Sequence, residues 1–525
     1  MSLEKMIYKL RTQANLSQEK FAQMLGVSHQ AVQKWESGTT MPDLKNLIKM
    51  AKYFHISLDA LVLDRDIRIV EELKGTKEIL PNYAHMDGWE SYSEILDTEY
   101  IQSMEEGLDI EKYQDLFQAA AKMPADVNKE KISDVIFNLV LNAPLREDYA
   151  YREPSTLEAI QELRVAYPLP AWDRDREKLR DRLYGAWMGR VCGCLLGKTV
   201  EGIRTNELHP LLKQTGNYPM HRYIYESEIT DEMYDSMTYG LRGRCFADTV
   251  DCMPADDDTN YTVMAQEIVE KYGRDFTPYD VSGAWLALQP KCAYYTAERI
   301  AFCNFVKGYE PPASACYKNP FREWIGAQIR GDYFGYINPG DPEQAAQMAF
   351  RDASISHIKN GIYGEMFAAA MIACAAVTDS IEQIILGGLA QIPATSRLYE
   401  SVCGILEDYR NGVSQQKVFE KIHAQYDEYT SHGWCHTISN AMIVAAALLY
   451  GGGDYGKSIC MAVETGFDTD CNGATVGSIL GMRGGIGCIG EAWTKPVNDT
   501  LETQIFGVGK VSISERAERT LKHIL

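Results

Sequence analysis

Two runs of glycine at every fourth residue constrain this chain more than any other feature. In Leu183-Tyr184-Gly185-Ala186-Trp187-Met188-Gly189-Arg190-Val191-Cys192-Gly193-Cys194-Leu195-Leu196-Gly197 the glycines fall at 185, 189, 193 and 197, and in the run after Cys471 they fall at 473, 477 and 481. At helical spacing each set lies along one face. Glycine in a helix interior costs about 1 kcal/mol relative to alanine, so a smooth face is tolerated where another backbone must approach closely. A membrane dimer motif reads similarly but needs about 20 apolar residues, and the second run is broken by Arg483. Both runs therefore read as closely packed helices in a helical core.

Carboxylates stand at the ends of these runs. Asp468-Thr469-Asp470 heads the second, the first leads through Lys198-Thr199-Val200 to Glu201, and Asp256-Asp257-Asp258-Thr259 heads another helix-like stretch. Hard cations such as Mg²⁺ take oxygen ligands, and carboxylates held together repel and take up protons unless a cation is shared. Two readings stand for each cluster: Asp256, Asp257, Asp258, Asp468 and Asp470 meet around divalent cations, or Asp and Thr merely cap helix N-termini. Glu201 alone is a weak signal, because surface glutamates are common.

At 525 residues the chain is long enough for several domains, and 46% apolar with 24% charged residues is ordinary for a globular protein. A net charge of −21 argues against nucleic-acid binding over the whole surface. The thirteen cysteines show no CxxC pair or zinc spacing, which reads as reduced thiols in a cytoplasmic protein. The stretches Met366 to Val377 and Ala441 to Tyr450 are too short for membrane spans and read as buried helices, so no membrane partner is expected.

The first sixty-three residues carry eight Lys or Arg against five Asp or Glu, in a chain that holds 52 against 73 overall. That asymmetry marks a separate unit. Ser17 caps a helix with apolar Phe21, Ala22 and Leu25, Gly26-Val27 turns the chain, and a second short helix is buried through Ala31, Val32 and Trp35 and closed by Gly38. Its other face presents His29, Gln30, Gln33 and Lys34, which can donate to base edges or phosphates. This segment resembles the helix-turn-helix of the Xre/Cro repressor family, with its Ser-Gln-Glu opening, Trp-Glu-x-Gly exit and Pro42 before a fourth helix. The resemblance implies that Gln18 and Ser28 touch phosphates of double-stranded DNA while His29, Gln30, Gln33 and Lys34 face the major groove. A bundle used for dimerisation or protein contact is the other reading. With so modest a positive charge, specific binding implies a homodimer on paired half-sites.

Residues 1–66 are thus expected to form the helix-turn-helix domain, 67–174 a helical connector of unstated role, and 175–525 the main domain. The connector has helix-like pieces at Ile110 to Ala121 and Lys129 to Leu141, with breaks at Pro81, Pro124 and Pro144. Ala-, Leu- and Met-rich helical runs dominate the main domain and alternating patterns are scarce, so the fold class is all-α.

Three elements of the main domain together resemble the ADP-ribosylglycohydrolase family: the glycine-spaced helix leading to Glu201, Asp257-Asp258-Thr259, and Gly466-Phe467-Asp468-Thr469-Asp470 with its glycine-spaced helix. Gly326-Ala327-Gln328-Ile329-Arg330 is similar to the family's substrate loop, and His357 lies where the family carries a histidine. By itself His357 reads as a satisfied core histidine. The resemblance implies an orthogonal all-α bundle with two Mg²⁺ or Mn²⁺ ions and cleavage of the glycosidic bond at C1″ of ADP-ribose. Asp257, Asp258, Asp468 and Asp470 would be ligands, Glu201 a ligand or acid/base with Asp258 beside it in catalysis, and Gly326, Gln328, Arg330 and His357 substrate contacts. This chain departs from the family pattern at Asp256 and Cys471, where hydroxyl residues usually stand, and at Cys194, where Asp is common. A thiol is a poor partner for a hard cation.

Two functions follow. One is a metal-dependent glycosidase acting on an ADP-ribose-like small molecule or ADP-ribosylated target, fused to a DNA-binding module. The other is a transcription regulator whose glycohydrolase-like domain senses the nucleotide without turnover.

Overall fold

A computed structural model describes residues 2–56, 58–63 and 81–524 of the chain. They form two compact units, Met1–Ala84 and His85–Leu525. The expected boundary between residues 66 and 67 lies outside the described residues.

Among the described residues the first unit is a bundle of five helices, Leu3–Gln13, Gln18–Leu25, His29–Glu36, Leu44–Phe54 and Leu58–Leu63. Ser17, Ser28 and Asp43 cap the second, third and fourth, each accepting from the backbone N–H three residues on. Gly26 ends the second helix at φ 70°, a left-handed conformation that glycine adopts without penalty. Ile7, Phe21, Leu25, Val32, Trp35 and Met50 meet in one core. Arg11 ties the first helix to the end of the third, with Nε 2.5 Å from Glu36 Oε1 and the second nitrogen 3.0 Å from Oε2.

The second unit is helical throughout, apart from one antiparallel pair among the described residues, Thr500–Glu502 with Lys510–Ser512, registered Leu501 to Val511. Its centre is made by the helices Arg176–Lys198, Lys359–Ala375, Thr437–Tyr450 and Thr469–Gly484, whose side chains are almost all buried. The two apolar stretches expected to be buried helices lie in Lys359–Ala375 and Thr437–Tyr450. No helix among the described residues is long and apolar enough to cross a membrane.

Residues 85–174 belong to this second unit. Their helices Leu96–Glu105, Gln114–Ala121 and Val127–Leu141 enclose a small core of Leu96, Ile110, Phe117 and Ile136. Buried charges tie them to the rest of this unit. Arg322 reaches Glu99 at 2.9 Å and Glu106 at 2.5 Å, Lys359 reaches Glu106 at 2.8 Å, and Arg397 joins Glu153 and Glu323 at 2.9 and 2.7 Å. Deleting one partner of such a buried pair strands the other charge and costs about 3–5 kcal/mol.

Candidate metal centre and nucleic-acid face

The glycine faces account for the position of the acidic groups. A Cβ built on Gly185 would strike the backbone of Gly481, one on Gly189 that of Gly477, one on Gly193 that of Gly473, and one on Gly197 that of Thr469. Partner numbers fall as the first series rises, so the two helices run antiparallel in backbone contact. The Thr469 hydroxyl donates to the Gly197 carbonyl at 2.8 Å. The end of Arg176–Lys198 thereby lies beside the start of Thr469–Gly484, which brings Glu201 to Asp468 and Asp470.

The third element is the helix Asp257–Tyr272. Asp256 caps it, accepting from the Asp258 N–H at 3.0 Å, and its other oxygen accepts from Lys198 Nζ at 2.7 Å. Asp258 is fully buried against Arg190, whose guanidinium lies 3.0 Å from Asp258 and 2.8 Å from Asp332. Asp468 stands at the N-cap of its helix but makes no side-chain capping bond; Cys435 Sγ donates to it at 3.5 Å. Capping thus describes Asp256 and not Asp468.

Asp256, Asp257, Asp258 and Asp470 each offer an oxygen within 4.8 Å of the others. Burial, then the charges of Asp256 and Asp258, holds the Asp257 carboxyl well above its usual range; burial, then Glu201 and Asp468, does the same for Asp470. Asp258 and Asp468 are also raised, burial being the main cause. Glu201 is pushed up to about 7 by burial and by Asp256 and Asp468. Asp258 Oδ2 and Asp470 Oδ1 are buried without a hydrogen-bond partner among the described residues. Buried, unpartnered, mutually repelling carboxylate oxygens are a donor set that suits a divalent hard cation. Cys194 and Cys471 sit at the edge of the cluster as neutral thiols, their pKa raised well above the ordinary value by burial and neighbouring carboxylates.

The expected substrate residues Gly326, Gln328, Arg330 and His357 are all buried. Arg330 is buried and spends its donors on Asp352 at 2.5 Å, Glu298 at 2.8 Å and Ser356 at 3.0 Å. A Cβ on Gly326 would collide with the Glu298 carboxylate. Gln328 and His357 are buried, and His357 Nδ1 lies 2.8 Å from the Ser356 hydroxyl. The Arg330 guanidinium also stacks 5.7 Å from the ring centre of Tyr261, one turn along the helix from Asp257.

A second cluster, Glu105 with His432 and His436, has metal-like composition but the wrong tautomers. His432 Nδ1 accepts from Trp324 Nε1 at 3.2 Å, and His436 Nδ1 accepts from the Ile438 N–H at 3.1 Å. Each neutral ring therefore carries its hydrogen on Nε2, pointing towards Glu105 3.0 and 3.7 Å away. Such nitrogens are donors, not ligands.

Arg190, Lys198 and Glu298 are among the polar residues that sequence reasoning missed. For Arg190 a signal exists, since a cation inside a glycine-spaced buried helix requires a buried anion.

In the first unit His29, Gln30, Gln33 and Lys34 are exposed on one face of His29–Glu36, while Val32 and Trp35 are buried and Ala31 half-buried. The Ser28 hydroxyl caps that helix, and Gln18 Nε2 donates to Glu36 at 2.6 Å.

Fold and site define an all-helical protein with converging acidic loops and a separate small helical module. Residues 175–521 match the ADP-ribosylglycohydrolase family and residues 7–61 a helix-turn-helix family. The chain belongs to the ADP-ribosylglycohydrolase family and carries a helix-turn-helix module at its N-terminal end. Among curated proteins it is similar to the HTH-type transcriptional activator BcrR of Enterococcus faecalis, at 31% identity over 17% of this chain and 43% of that one. It is also similar to the cryptic phage CTXphi transcriptional repressor RstR of Vibrio cholerae, at 35% identity over 13% and 61%. The SPbeta prophage-derived HTH-type regulator YonR of Bacillus subtilis (strain 168) matches at 31% over 17% and 83%. The chain thus spans less than two thirds of the first two relatives. A solved structure described as an ADP-ribosylglycohydrolase-related protein complex aligns with 66% of this chain and 98% of its own, at 16% identity and a TM-score of 0.38.

Proposed function

We propose that this chain is a metal-dependent glycosidase that cleaves the C1″ bond of an ADP-ribosylated or related ribosyl substrate, and that it binds double-stranded DNA through its helix-turn-helix. The observation that carries the first part is the convergence of Asp256, Asp257, Asp258 and Asp470 with unpartnered buried oxygens. Asp468, raised by burial and the charge of Asp256, adjoins them. Those five carboxylates would hold Mg²⁺ or Mn²⁺, two ions in the proposal. A bound cation would supply positive charge that orients and polarises the oxygens of a ribosyl group.

Glycosidic cleavage passes through an oxocarbenium-like state that needs a proton for the leaving group and an anion nearby. Glu201, raised in the metal-free chain by burial and by Asp256 and Asp468, stands beside the cluster where a carboxyl could hold or release that proton. Asp258, held by Arg190, would carry its negative charge once a cation replaces its proton. Gly326, Gln328, Arg330 and His357 are proposed to build the substrate-side wall, with Arg330 fixing Glu298.

The test is release of ADP-ribose from ADP-ribosyl-arginine or O-acetyl-ADP-ribose by the full chain with Mg²⁺ or Mn²⁺. Turnover by the wild type that is lost in Asp257→Ala supports the reading. No turnover, with ADP-ribose binding that Asp257→Ala abolishes, favours a nucleotide sensor. No turnover and no binding removes both.

For DNA, the exposed set His29, Gln30, Gln33 and Lys34 supports major-groove contact, with Gln18 and Ser28 towards phosphates. Recognition by a homodimer on paired half-sites belongs to the same proposal.

A further inference from the structure

Arg204 lies three residues beyond Glu201 and caps the helix Thr205–Gln214 without a side-chain capping bond. Its guanidinium carbon sits 4.4 Å from the centre of the Trp434 ring. Stacking of this kind fixes the plane of the group and leaves its N–H edge free. NH1 is shielded from solvent with no hydrogen-bond partner among the described residues, and the same is true of the Trp434 indole Nε1. Two donors of adjacent groups are thus desolvated and unpaired, a state that costs free energy until an acceptor arrives.

The shelf adjoins the acidic cluster through covalent neighbours. Trp434 precedes Cys435, whose Sγ contacts Asp468 Oδ2 at 3.5 Å. On the other side, the Thr205 backbone nitrogen lies 3.0 Å from where a Cβ on Gly466 would stand, so the loop leading to Asp468 packs directly behind Arg204. Glu428 adjoins this loop in space; its Oε1 accepts from the Thr205 hydroxyl, while its Oε2 is buried without a partner among the described residues. Burial lowers the Arg204 pKa, with Tyr239, Glu428 and Asp468 opposing, and an arginine stays charged throughout.

We propose that Arg204 and Trp434 form an anion-recognising shelf beside the carboxylate cluster and take the phosphate of a phosphorylated ribosyl substrate. The proposal rests on the glycosidase reading and deepens it. A phosphate brings several acceptor lone pairs, which matches the two unpaired donors Arg204 NH1 and Trp434 Nε1. It also explains why a cation that pairs with no carboxylate among the described residues stands beside the acidic cluster: that cation selects for a charged substituent which the carboxylates would otherwise repel. Trp434 holds the guanidinium plane, and the neighbouring His432, bonded to Glu105 at 3.0 Å, holds the turn that carries Trp434.

The test uses the full chain loaded with Mn²⁺ and measures by calorimetry the binding of ADP-ribose and of an uncharged methyl riboside. Arg204→Ala is expected to weaken ADP-ribose binding by about 10- to 100-fold relative to the riboside, the range for losing hydrogen bonds to a charged group. Arg204→Lys recovers part of that, and Trp434→Phe recovers more than Trp434→Ala. Mn²⁺ affinity and thermal midpoint should match wild type, which a merely structural role would not allow. ADP-ribose binding by Arg204→Ala within twofold of wild type overturns the proposal. So does a wild type that binds and hydrolyses the riboside as well as the phosphorylated ligand, although the glycosidase reading then stands. A wild type that binds neither ligand removes that reading, and this proposal with it.

Discussion

Gly193→Ala should destabilise the large unit, although alanine is the better helix former. The new Cβ would lie 2.5 Å from the Gly473 carbonyl carbon, with the oxygen closer still, and ordinary contact begins at 3.4 Å. The two helices must therefore part by more than about 0.9 Å at this point, because the opposing atoms are backbone and cannot rotate away. A gap of about 0.5–1 Å already forfeits a quarter to a half of each dispersion contact along the interface, and overpacking of this kind costs about 1–3 kcal/mol or more. Against this stands a gain of about 1 kcal/mol in helix propensity. Gly283 provides the control, since it is exposed within the helix Pro278–Leu288 and a Cβ there meets nothing within 4 Å. Gly283→Ala should therefore raise the midpoint of thermal unfolding, while Gly193→Ala lowers it, the two differing by the overpacking cost of about 1–3 kcal/mol or more, since both gain the same helix propensity. Differential scanning calorimetry of the full chain, following the transition of the large unit, separates the outcomes. If both substitutions raise the midpoint by the same amount, the helices are not in backbone contact and the reasoning fails. A second readout follows from the register: parting the helices moves Asp468 and Asp470 away from Glu201, so Mn²⁺ affinity should fall in Gly193→Ala alone.

Stabilisation by Mn²⁺ should grow with pH. Asp257, Asp258 and Asp470 are raised well above the usual carboxylate range and Glu201 to about 7. The folded metal-free chain then binds more protons than the unfolded one, and its stability falls as pH rises through those values. A cation that replaces the protons should shift the thermal midpoint more at pH 8 than at pH 6.5, and an equal shift at both would show that the carboxylates are already ionised; titration of remote histidines cancels in the difference. Lys198→Met frees the Asp256 oxygen now 2.7 Å from the ammonium and should tighten Mn²⁺ binding severalfold in calorimetry, whereas weaker binding would mean that the lysine supports the site rather than competing in it. For DNA, an operator selected from random duplexes should lose about 1–3 kcal/mol of binding per base contact in Gln30→Ala and Lys34→Ala, and a double variant with wild-type affinity for every sequence would remove the recognition-helix assignment.

Much of this architecture is legible in local pattern. The helix-turn-helix is written in caps and turns, Ser17, Gly26 and Ser28, each of which acts within three or four residues of itself. The buried helices around Met366 and Ala441 are legible because every face is apolar or small. The placement of residues 85–174 is not, because its determinants are pairs such as Arg322 with Glu99 and Arg397 with Glu153, whose members lie 223 and 244 residues apart. No local rule joins such partners. The same limit hid Arg204 and Trp434: each is unremarkable where it stands, and only folding brings the guanidinium over the ring.

The acidic clusters show how far pattern reaches into chemistry. Capping and cation binding read as competing accounts of Asp256 and Asp468, yet Asp256 caps a helix with one oxygen while its carboxylate belongs to the cluster. A helix N-terminus gathers anions through its unpaired N–H groups and dipole, so a fold that needs carboxylates at one point can place them by ending helices there. The glycine register does the rest. With contacts at 185 and 481, 189 and 477, 193 and 473, and 197 and 469, each step of four along one helix is matched by a step of four back along the other. Once the two series are known to face each other, antiparallel packing alone requires that the residues just beyond Gly197 meet those just before Gly473. Glu201 and Asp470 are therefore brought together by backbone shape, and the repulsion between them is sustained by packing that neither carboxylate supplies.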